Sequence, residues 1–430
     1  MAPPFERLSV ELLIDIFEQA EISSRGSVDN IQFPFSVRLT HVCRRWRRVA
    51  ANVTTLWNHI SLYWFHDDPL FDLYIERSRT RLLDIKCFLD DPDTYCHFVE
   101  MLLPHAERWR NLEITFDGPL DYGCVGSDAR DALVLLGEVY PPHLENLKIC
   151  VSAEEFEPTC PVFVNGAPQL RTAILQGNFC FAEASFNNLA ELELSTDLRF
   201  GPVYLRALFT YVSHSLVYLS LNVHPSSHPL HLPNILDAPT ELPALRVLDV
   251  LSYPVLTMMS APNLKILSLY RMDMGDLKAF VNSTPHYHLE KLILRNMDLS
   301  PFDDASRFIL DHPRLESIAI LSCRNEDGLW NLLRHSKIRE VATTPGFDSE
   351  FIDLILNWSL IQSVLSDCIA NGRASILRVG KGYKKRDGDT VPPSFVTWLS
   401  DNNIEMQFHD EPFPVLSFKH GEGIIRWEYL

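Results

Sequence analysis

Three histidines near the middle of the chain have the residue type and spacing from which a metal site could be built. His224, His228 and His231 lie within HPSSHPLHLP, and imidazole nitrogens are common zinc ligands. No cysteine stands beside them, and the prolines predict an extended segment that does not bring three rings to one helical face. The pattern therefore favours a surface loop over a zinc site, and no metal or other cofactor is predicted.

The sequence lacks the local motifs that usually mark an active site. It contains no Gly-x-Ser-x-Gly, His-Glu-x-x-His or Walker loop, and no strand-linked Gly-x-Gly-x-x-Gly. The run from Gly380 to Lys385 follows a predicted strand but opens no helix, which is typical of a basic surface loop. A triad assembled from distant residues stays possible, because triads are recognised by geometry. We predict a protein that is not an enzyme.

Composition narrows the class of partner. The chain has 430 residues, of which 46% are hydrophobic and 22% charged, with a net charge of −18. This acidity opposes nucleic acid and anionic lipid, and no apolar stretch approaches the ~20 residues that cross a membrane. Nine dispersed cysteines without a secretory-type leader predict reduced thiols. The expected location is the cytoplasm, the nucleus or both.

Two helical patterns occupy the first sixty residues. The first has Leu12 and Ile16 on its apolar stripe, with Ser9 as its predicted N-cap. The second runs from Val37 to Val53, and Leu56 and Trp57 close the unit. So small a unit cannot bury this many large apolar side chains by itself. The excess indicates that part of the unit forms an interface with another protein.

These residues resemble the F-box family. The pattern Leu8-Ser9-x-Glu11-Leu12-Leu13-x-x-Ile16-Phe17, then Val42-Cys43-Arg44-x-Trp46, then Leu56-Trp57, is similar to the F-box over about residues 4–60. Ser9 stands where the family usually has proline. The long spacer between Phe17 and Val42 is similar to that of many fungal F-box proteins.

The resemblance implies binding to the Skp-type adaptor of a cullin–RING ubiquitin ligase, and through it to a cullin. Helix-in-groove recognition would bury apolar anchors at that interface. The adaptor-binding residues that it implies are Leu8, Leu12, Leu13, Ile16, Phe17, Val42, Cys43, Trp46 and Trp57. For Val42 and Cys43, a place in the unit's own core is an equally good interpretation.

Four arginines flank Trp46, at positions Arg44, Arg45, Arg47 and Arg48. A basic run beside an aromatic residue could contact nucleic acid. Arginine stems also cover apolar surface while their heads stay hydrated. The acidic chain favours this second interpretation, so no nucleic-acid partner is predicted.

A second pattern recurs from about residue 80. Leucine-like residues follow the spacing L-x-x-L-x-L, with a period mostly in the ~20–29 residue range of leucine-rich repeats. The clear copies begin at Leu144, Leu189, Leu216, Leu245, Leu264, Leu289 and Leu315, and a shorter one lies at Leu112–Ile114. Weaker copies lie at Leu82–Cys87, Leu170–Leu175 and Ile338–Thr343. The pattern resembles the repeats that follow F-boxes, which implies a parallel sheet on a concave face and helices on the convex face.

The variable positions of the repeats define a candidate target-binding face. Side chains alternate along a strand, so these positions are predicted to face solvent, with acidic residues first, tyrosines in the middle and basic residues last. The candidates are Tyr218, Asn222, Asp249, Tyr270, Lys291 and Arg295. The alternative interpretation is that they only stabilise their cross-strand neighbours.

The predicted organisation is α/β. A small all-α F-box domain (1–65) is followed by an irregular leucine-rich-repeat solenoid (66–345) and a repeat-like C-terminal cap (346–430). The cap is predicted to contain helices at Phe351–Trp358 and Phe395–Leu399 and strands at Ile376–Val379 and Ile404–Phe408. The predicted function is a substrate-recognition subunit of a Skp-cullin-F-box type ubiquitin ligase that holds a target protein on its repeats. The alternative is a leucine-rich-repeat interaction scaffold that delivers nothing for degradation.

Overall fold

The computed structural model describes most of the chain. The described residues are 8–25, 34–63, 68–117, 125–151, 162–177, 179, 186–197, 202–224, 239–251, 256, 258–270, 288–297, 312, 314–321, 323, 338, 340–344, 358–370, 376–380, 393–402 and 405–409. They divide into two compact units, the first ending at Leu192 and the second beginning at Glu193.

The chain begins with a helical module. Its helices are α1 (Val10–Ser24), α2 (Phe35–Val42) and α3 (Arg44–Asn52), followed by a 3-10 turn at Thr54–Leu56. Ser9 caps α1 as predicted, because its Oγ accepts a hydrogen bond from the Leu12 N–H at 3.3 Å.

The prediction of one continuous helical segment from Val37 to Val53 is wrong. The segment breaks at Cys43, whose backbone is extended (φ −158°, ψ 170°). The Cys43 sulfur accepts a hydrogen bond from the Trp46 N–H at 3.4 Å. The thiol thus takes the capping position at the start of α3 and lets the chain turn between two short helices.

Five parallel strands follow in the first unit, in the order β1–β2–β3–β4–β5. They are β1 (His59–Tyr63), β2 (Leu83–Leu89), β3 (Trp109–Phe116), β4 (Asn146–Val151) and β5 (Thr172–Gln176). The returns contain α4 (Asp68–Ser78), 3-10 turns at Pro92–Thr94 and Leu103–Arg108, α5 (Tyr95–Leu102) and α6 (Val125–Gly137). Strand β6 (Glu191–Asp197) contains the boundary between the units.

In the second unit the strand order is β6–β7–β9–β11–β12–β13–β14–β15–β16. These are β7 (Tyr218–His224), β9 (Val247–Val250), β11 (Ile266–Tyr270), β12 (Lys291–Arg295), β13 (Ser317–Leu321), β14 (Glu340–Thr344), β15 (Ile376–Gly380) and β16 (Glu405–His409). β8 (Thr240–Glu241) and β10 (Met259–Ser260) pair separately. The described helices are α7 (Pro202–Val212), α8 (Trp358–Ala370) and α9 (Pro393–Asp401).

The predicted α/β class with a large parallel sheet is confirmed. β15, β16 and α9 lie where the sequence places the strands and the second helix of the cap. The helix predicted at Phe351–Trp358 lies outside the described residues except for Trp358, which begins α8. Helices expected on the convex face at residues 274–285 and 303–313 lie outside the described residues, apart from His312.

The leucines of the repeat pattern form the core. Leu219 is in register with Leu248, Leu248 with Leu267, and Leu267 with Leu292, and all four side chains are fully buried. Alternation along each strand puts the polar residues between them on the opposite face. Burial of one leucine contributes about 1.5–3 kcal/mol, so the core depends on the stacking of successive repeats.

Replacement of one ladder leucine tests this arrangement. We expect Leu267→Ala to lower the free energy of unfolding by about 2–5 kcal/mol, because it removes contacts with both neighbouring strands. Val217→Ala is the control, since Val217 is exposed and its truncation should cost within about 0.5 kcal/mol. Urea unfolding followed by circular dichroism measures both. Equal losses would contradict the leucine ladder as the main source of stability.

Candidate protein-binding surfaces

The helical module exposes part of its apolar surface. Leu12 and Ile16 lie four residues apart on one face of α1 and are 51% and 48% exposed, and Val42 at the end of α2 is 57% exposed. We call Leu12, Ile16 and Val42 the exposed apolar set. When a partner covers a half-exposed aliphatic side chain, apolar surface leaves water and the complex is stabilised.

The other predicted adaptor-binding residues lie deeper. Leu13 and Phe17 are buried on the adjacent side of α1, about 100° round the helix from the exposed residues, and Trp57 is fully buried. Leu8, Cys43 and Trp46 are half-buried. The residues predicted to bind the adaptor therefore fall into two groups. One is the exposed apolar set, and the other consists of residues that pack within the module.

Aromatic packing holds α1 against α3. The rings of Phe17 and Trp46 lie 4.9 Å apart between centroids, and the Trp57 indole donates a hydrogen bond from Nε1 to the Ala50 carbonyl at 2.8 Å. A partner could reach Leu13, Phe17 or Trp57 only if the module opened. These buried residues position the exposed set.

Two of the four arginines in α3 have backbone partners. Arg45 donates to the carbonyl oxygen of Leu8, and Arg47 donates from Nε to the Thr40 carbonyl at 2.7 Å. Arg44 and Arg48 are exposed. The arginine cluster thus serves partly to tie α3 to α1 and α2.

The helical module is fastened to the first repeat by α4. The Tyr74 ring packs edge-on against Trp57 at 5.2 Å between centroids, and its hydroxyl lies 2.6 Å from the Ser36 hydroxyl. The Arg77 guanidinium lies 4.3 Å from the centre of the Trp57 ring, a cation–π contact. The same tryptophan therefore belongs to the core of the module and to its junction with the repeats.

Buried ionisable groups lie at this junction. Glu21 is 7% exposed. Burial raises the pKa of its carboxyl to about 7, although the positive charges of Arg25 and Arg38 act to lower that pKa. Burial lowers the pKa of His59 to about 4, assisted by Arg25, whereas Asp84 acts in the opposite direction. Both groups are therefore driven toward their neutral forms.

The buried carboxyl of Glu21 makes stability depend on pH. A pKa raised above the unfolded value means that the folded state binds the proton more tightly, so Glu21 costs stability as pH rises from about 4.5 to about 7. We expect Glu21→Gln to stabilise the protein by about 1–3 kcal/mol more at pH 8 than at pH 5. The groups around Glu21 are Arg25, Arg38 and Tyr74.

The measurement is urea unfolding of wild type and variant across this pH range. His59 acts in the opposite sense, since its lowered pKa costs stability as pH falls from about 6.5 to about 4, and it is present in both proteins. Asp15→Asn on the exposed side of α1 is the control. A pH-independent difference between wild type and Glu21→Gln would contradict a buried, protonated carboxyl.

Polar side chains of β2, β3 and β4 pair with one another across the strands. Asp84 receives hydrogen bonds from Arg110 Nε at 2.8 Å and from Asn111 Nδ2 at 2.5 Å, and Asn146 donates to Asn111 at 2.5 Å. Glu113 lies between Lys86 and Lys148, at 3.3 and 2.8 Å. These ladders from β2 to β4 satisfy one another across the strands.

The six predicted target-binding residues lie on the polar face of the second unit, but they are less exposed than expected. Tyr218 is buried (2% exposed), so its prediction as a solvent-facing residue is wrong. Burial and the nearby carboxylates of Asp249 and Glu193 raise its pKa. Asn222, Asp249, Tyr270, Lys291 and Arg295 are half-buried, because strands about 4.8 Å apart let neighbouring side chains shield each other.

Three of these six residues contact one another. Arg295 on β12 reaches across β11 to form an ion pair with Asp249 on β9. Its guanidinium lies 5.8 Å from the centre of the Tyr270 ring. The bridge holds a charged and aromatic cluster in the middle of this face.

Of the three histidines whose spacing could supply metal ligands, the structure describes His224. His224 ends β7, whereas His228 and His231 lie outside the described residues. A search of the described residues finds no group of three His, Cys, Asp or Glu side chains arranged to hold a metal ion. Among those residues, no helix has the length and apolar character needed to cross a membrane.

Comparison with known proteins adds no relative. No protein-family model matches the chain, and a search of curated proteins gives no match. The structure defines the class, an α/β protein with a large parallel sheet and a helical module before its first strand.

Proposed function

We propose that the protein is the substrate-recognition subunit of a Skp-cullin-F-box type ubiquitin ligase. Its helical module binds the Skp-type adaptor, and through it a cullin, while the repeats hold a target protein. The observation that carries the first half is the exposed apolar set, Leu12, Ile16 and Val42, at positions that fit the F-box pattern. Other subunits perform the ubiquitin transfer.

Exposure supports this assignment better than sequence pattern alone. Leu12, Ile16 and Val42 are large aliphatic residues that do not join the module's own core, although Leu13 and Phe17 beside them do. Helix-in-groove recognition uses such anchors, spaced three or four residues apart on a rigid face. The Phe17–Trp46 contact and the Trp57 hydrogen bond supply that rigidity.

The junction supports a fixed position of the helical module beside the first repeat, within the first unit. Tyr74 and Arg77 of α4 hold Trp57 against the first repeat. A substrate receptor must hold its target at a defined place relative to the other subunits, since a proximity effect requires fixed geometry. A flexible linker between the module and the repeats would lose this control.

Charge substitutions in the exposed apolar set test adaptor binding. We expect Leu12→Asp and Ile16→Asp each to reduce co-purification of a Skp-type adaptor at least tenfold, because burial of an unpaired carboxylate costs several kcal/mol. The control is Val217→Asp at a position 42% exposed in the second unit, which should leave recovery unchanged. Full recovery with both α1 variants, at unchanged helix content, would contradict the assignment.

A second experiment separates a receptor from a scaffold. In cells whose protein carries Ile16→Asp, targets held by the repeats should stay bound but no longer be ubiquitinated, so their abundance should rise about twofold or more relative to wild type. Proximity labelling identifies the bound proteins and quantitative proteomics measures their levels. Bound proteins with unchanged abundance would contradict the receptor and support the scaffold.

A further inference from the structure

Three large apolar side chains are exposed around the C-terminal end of α6, in the first unit. Val134, Tyr140 and Val164 are 37%, 51% and 50% exposed. Val134 lies three residues before the end of α6 at Gly137, and Tyr140 lies three residues after it. Val164 is held beside the same point, because its N–H donates a hydrogen bond to the Gly137 carbonyl at 2.8 Å. Beyond the helical module, the only other exposed large apolar side chain of the described residues is that of Val217, so the three form a cluster.

Carboxylates flank this cluster. Asp131 and Glu138 are exposed and stand three residues before and four residues after Val134, which is the spacing of one stripe of a helix. Neither carboxylate forms an ion pair with a described residue. We call Val134, Tyr140 and Val164, together with Asp131 and Glu138, the α6 surface.

Glu138 stands where a carboxylate is electrostatically unfavourable. The C-terminal end of a helix carries a partial negative charge, and a cation placed there is stabilising. Glu138 directly follows the last residue of α6, and the last turn of α6 contains no basic residue. A basic side chain from another molecule would therefore be attracted by Glu138 and by the helix end together.

The neighbouring part of α5 and α6 is acidic as well. Burial raises the pKa of the Cys96 thiol on α5, and the carboxylates of Asp131, Glu100 and Asp128 raise it further. The charges of the described residues that act on this thiol are thus all negative. Because these carboxylates come from both helices, the negative potential extends from the α6 surface toward α5.

Charge and area together select the kind of molecule that fits the α6 surface. A second copy of the chain would bring the same carboxylates and a net charge of −18, which opposes association. Even three aromatic side chains of ~150–250 Å² each would not reach the ~800 Å² per partner of a stable protein complex. The surface therefore fits a short segment in which basic side chains border apolar ones.

We propose that the α6 surface binds a short, basic, amphipathic segment of another protein. Large apolar side chains of this segment cover Val134, Tyr140 and Val164, and its Lys or Arg side chains lie over Asp131 and Glu138. The two carboxylates are seven residues apart, or about 10 Å at ~1.5 Å per residue. This surface is additional to the exposed apolar set of the helical module and does not depend on the proposed function.

Selection from a random dodecapeptide display library on the immobilised full-length protein tests the surface. Enriched peptides are expected to combine Lys or Arg with large apolar residues, about fivefold above the starting library. The most enriched peptide, made with a fluorescent label, is then titrated against wild type and variants by fluorescence polarisation.

The variants separate the apolar from the electrostatic part of the binding. Val134→Ser and Val164→Ser should each weaken binding about fivefold at every salt concentration, because they remove apolar contact. Asp131→Asn and Glu138→Gln should each weaken binding about two- to threefold at ~50 mM salt and less at ~300 mM, where charges are more strongly screened.

Val217→Ser and Glu241→Gln are the matched controls. Both residues are exposed in the second unit, so these variants should bind the peptide as the wild type does. Circular dichroism verifies that every variant is folded. The assay contains no adaptor, so its result is independent of whether the helical module binds one.

The proposal is overturned if no peptide is enriched, if the enriched peptides lack basic residues, or if the variants of the α6 surface bind as tightly as the wild type. Light scattering tests the competing occupant, a second copy of the chain. A wild-type dimer that Val134→Ser dissociates would also overturn the proposal, whereas a monomer is expected.

Discussion

The structure depends on the burial of leucine side chains between successive parallel strands. In β7, β9, β11 and β12 the central leucines are in register and fully buried. No single repeat buries enough apolar area to offset the loss of chain entropy. Each strand must therefore lie beside its sequence neighbours, and this order leaves the intervening polar residues together on the other face.

The helical module, unlike the sheet, leaves part of its apolar surface exposed. It is too small to enclose all its apolar side chains, so Leu13, Phe17 and Trp57 fill its interior while Leu12, Ile16 and Val42 stay outside. The interior residues do more than stabilise, because Trp57 also contacts Tyr74 and Arg77 of the first repeat. One buried tryptophan thus relates the exposed apolar set to the start of the repeat array.

Much of the sheet could be predicted from sequence, because the L-x-L spacing directly encodes which side of a strand is buried. Strand β1 was missed because its apolar pair, Ile60 and Leu62, follows the helical module at once, although both residues are in register with Ile85 and Cys87 of β2. The break at Cys43 was missed because helical periodicity continues across it. The hydrogen bonds from Asn188 and Asn263 to the carbonyls of Pro168 and Pro243 were also unforeseen.

The candidate surfaces were predictable in position but not in exposure. Sequence pattern groups Leu12 with Leu13, although a rotation of about 100° per residue places one outside and the other inside. Tyr218 fits the polar face by alternation, yet its neighbours bury it. The Arg295–Asp249 ion pair joins residues 46 positions apart, and only the strand order brings them together.

The central claim is that the exposed apolar set lies in contact with a Skp-type adaptor in the cell. A photo-crosslinking amino acid placed at Ile16 of the full-length protein tests it most directly, with Val217 as the exposed control position. The account predicts that mass spectrometry finds the adaptor attached at position 16 and absent from position 217. Efficient crosslinking from position 16 to other proteins, with no adaptor among them, would contradict it.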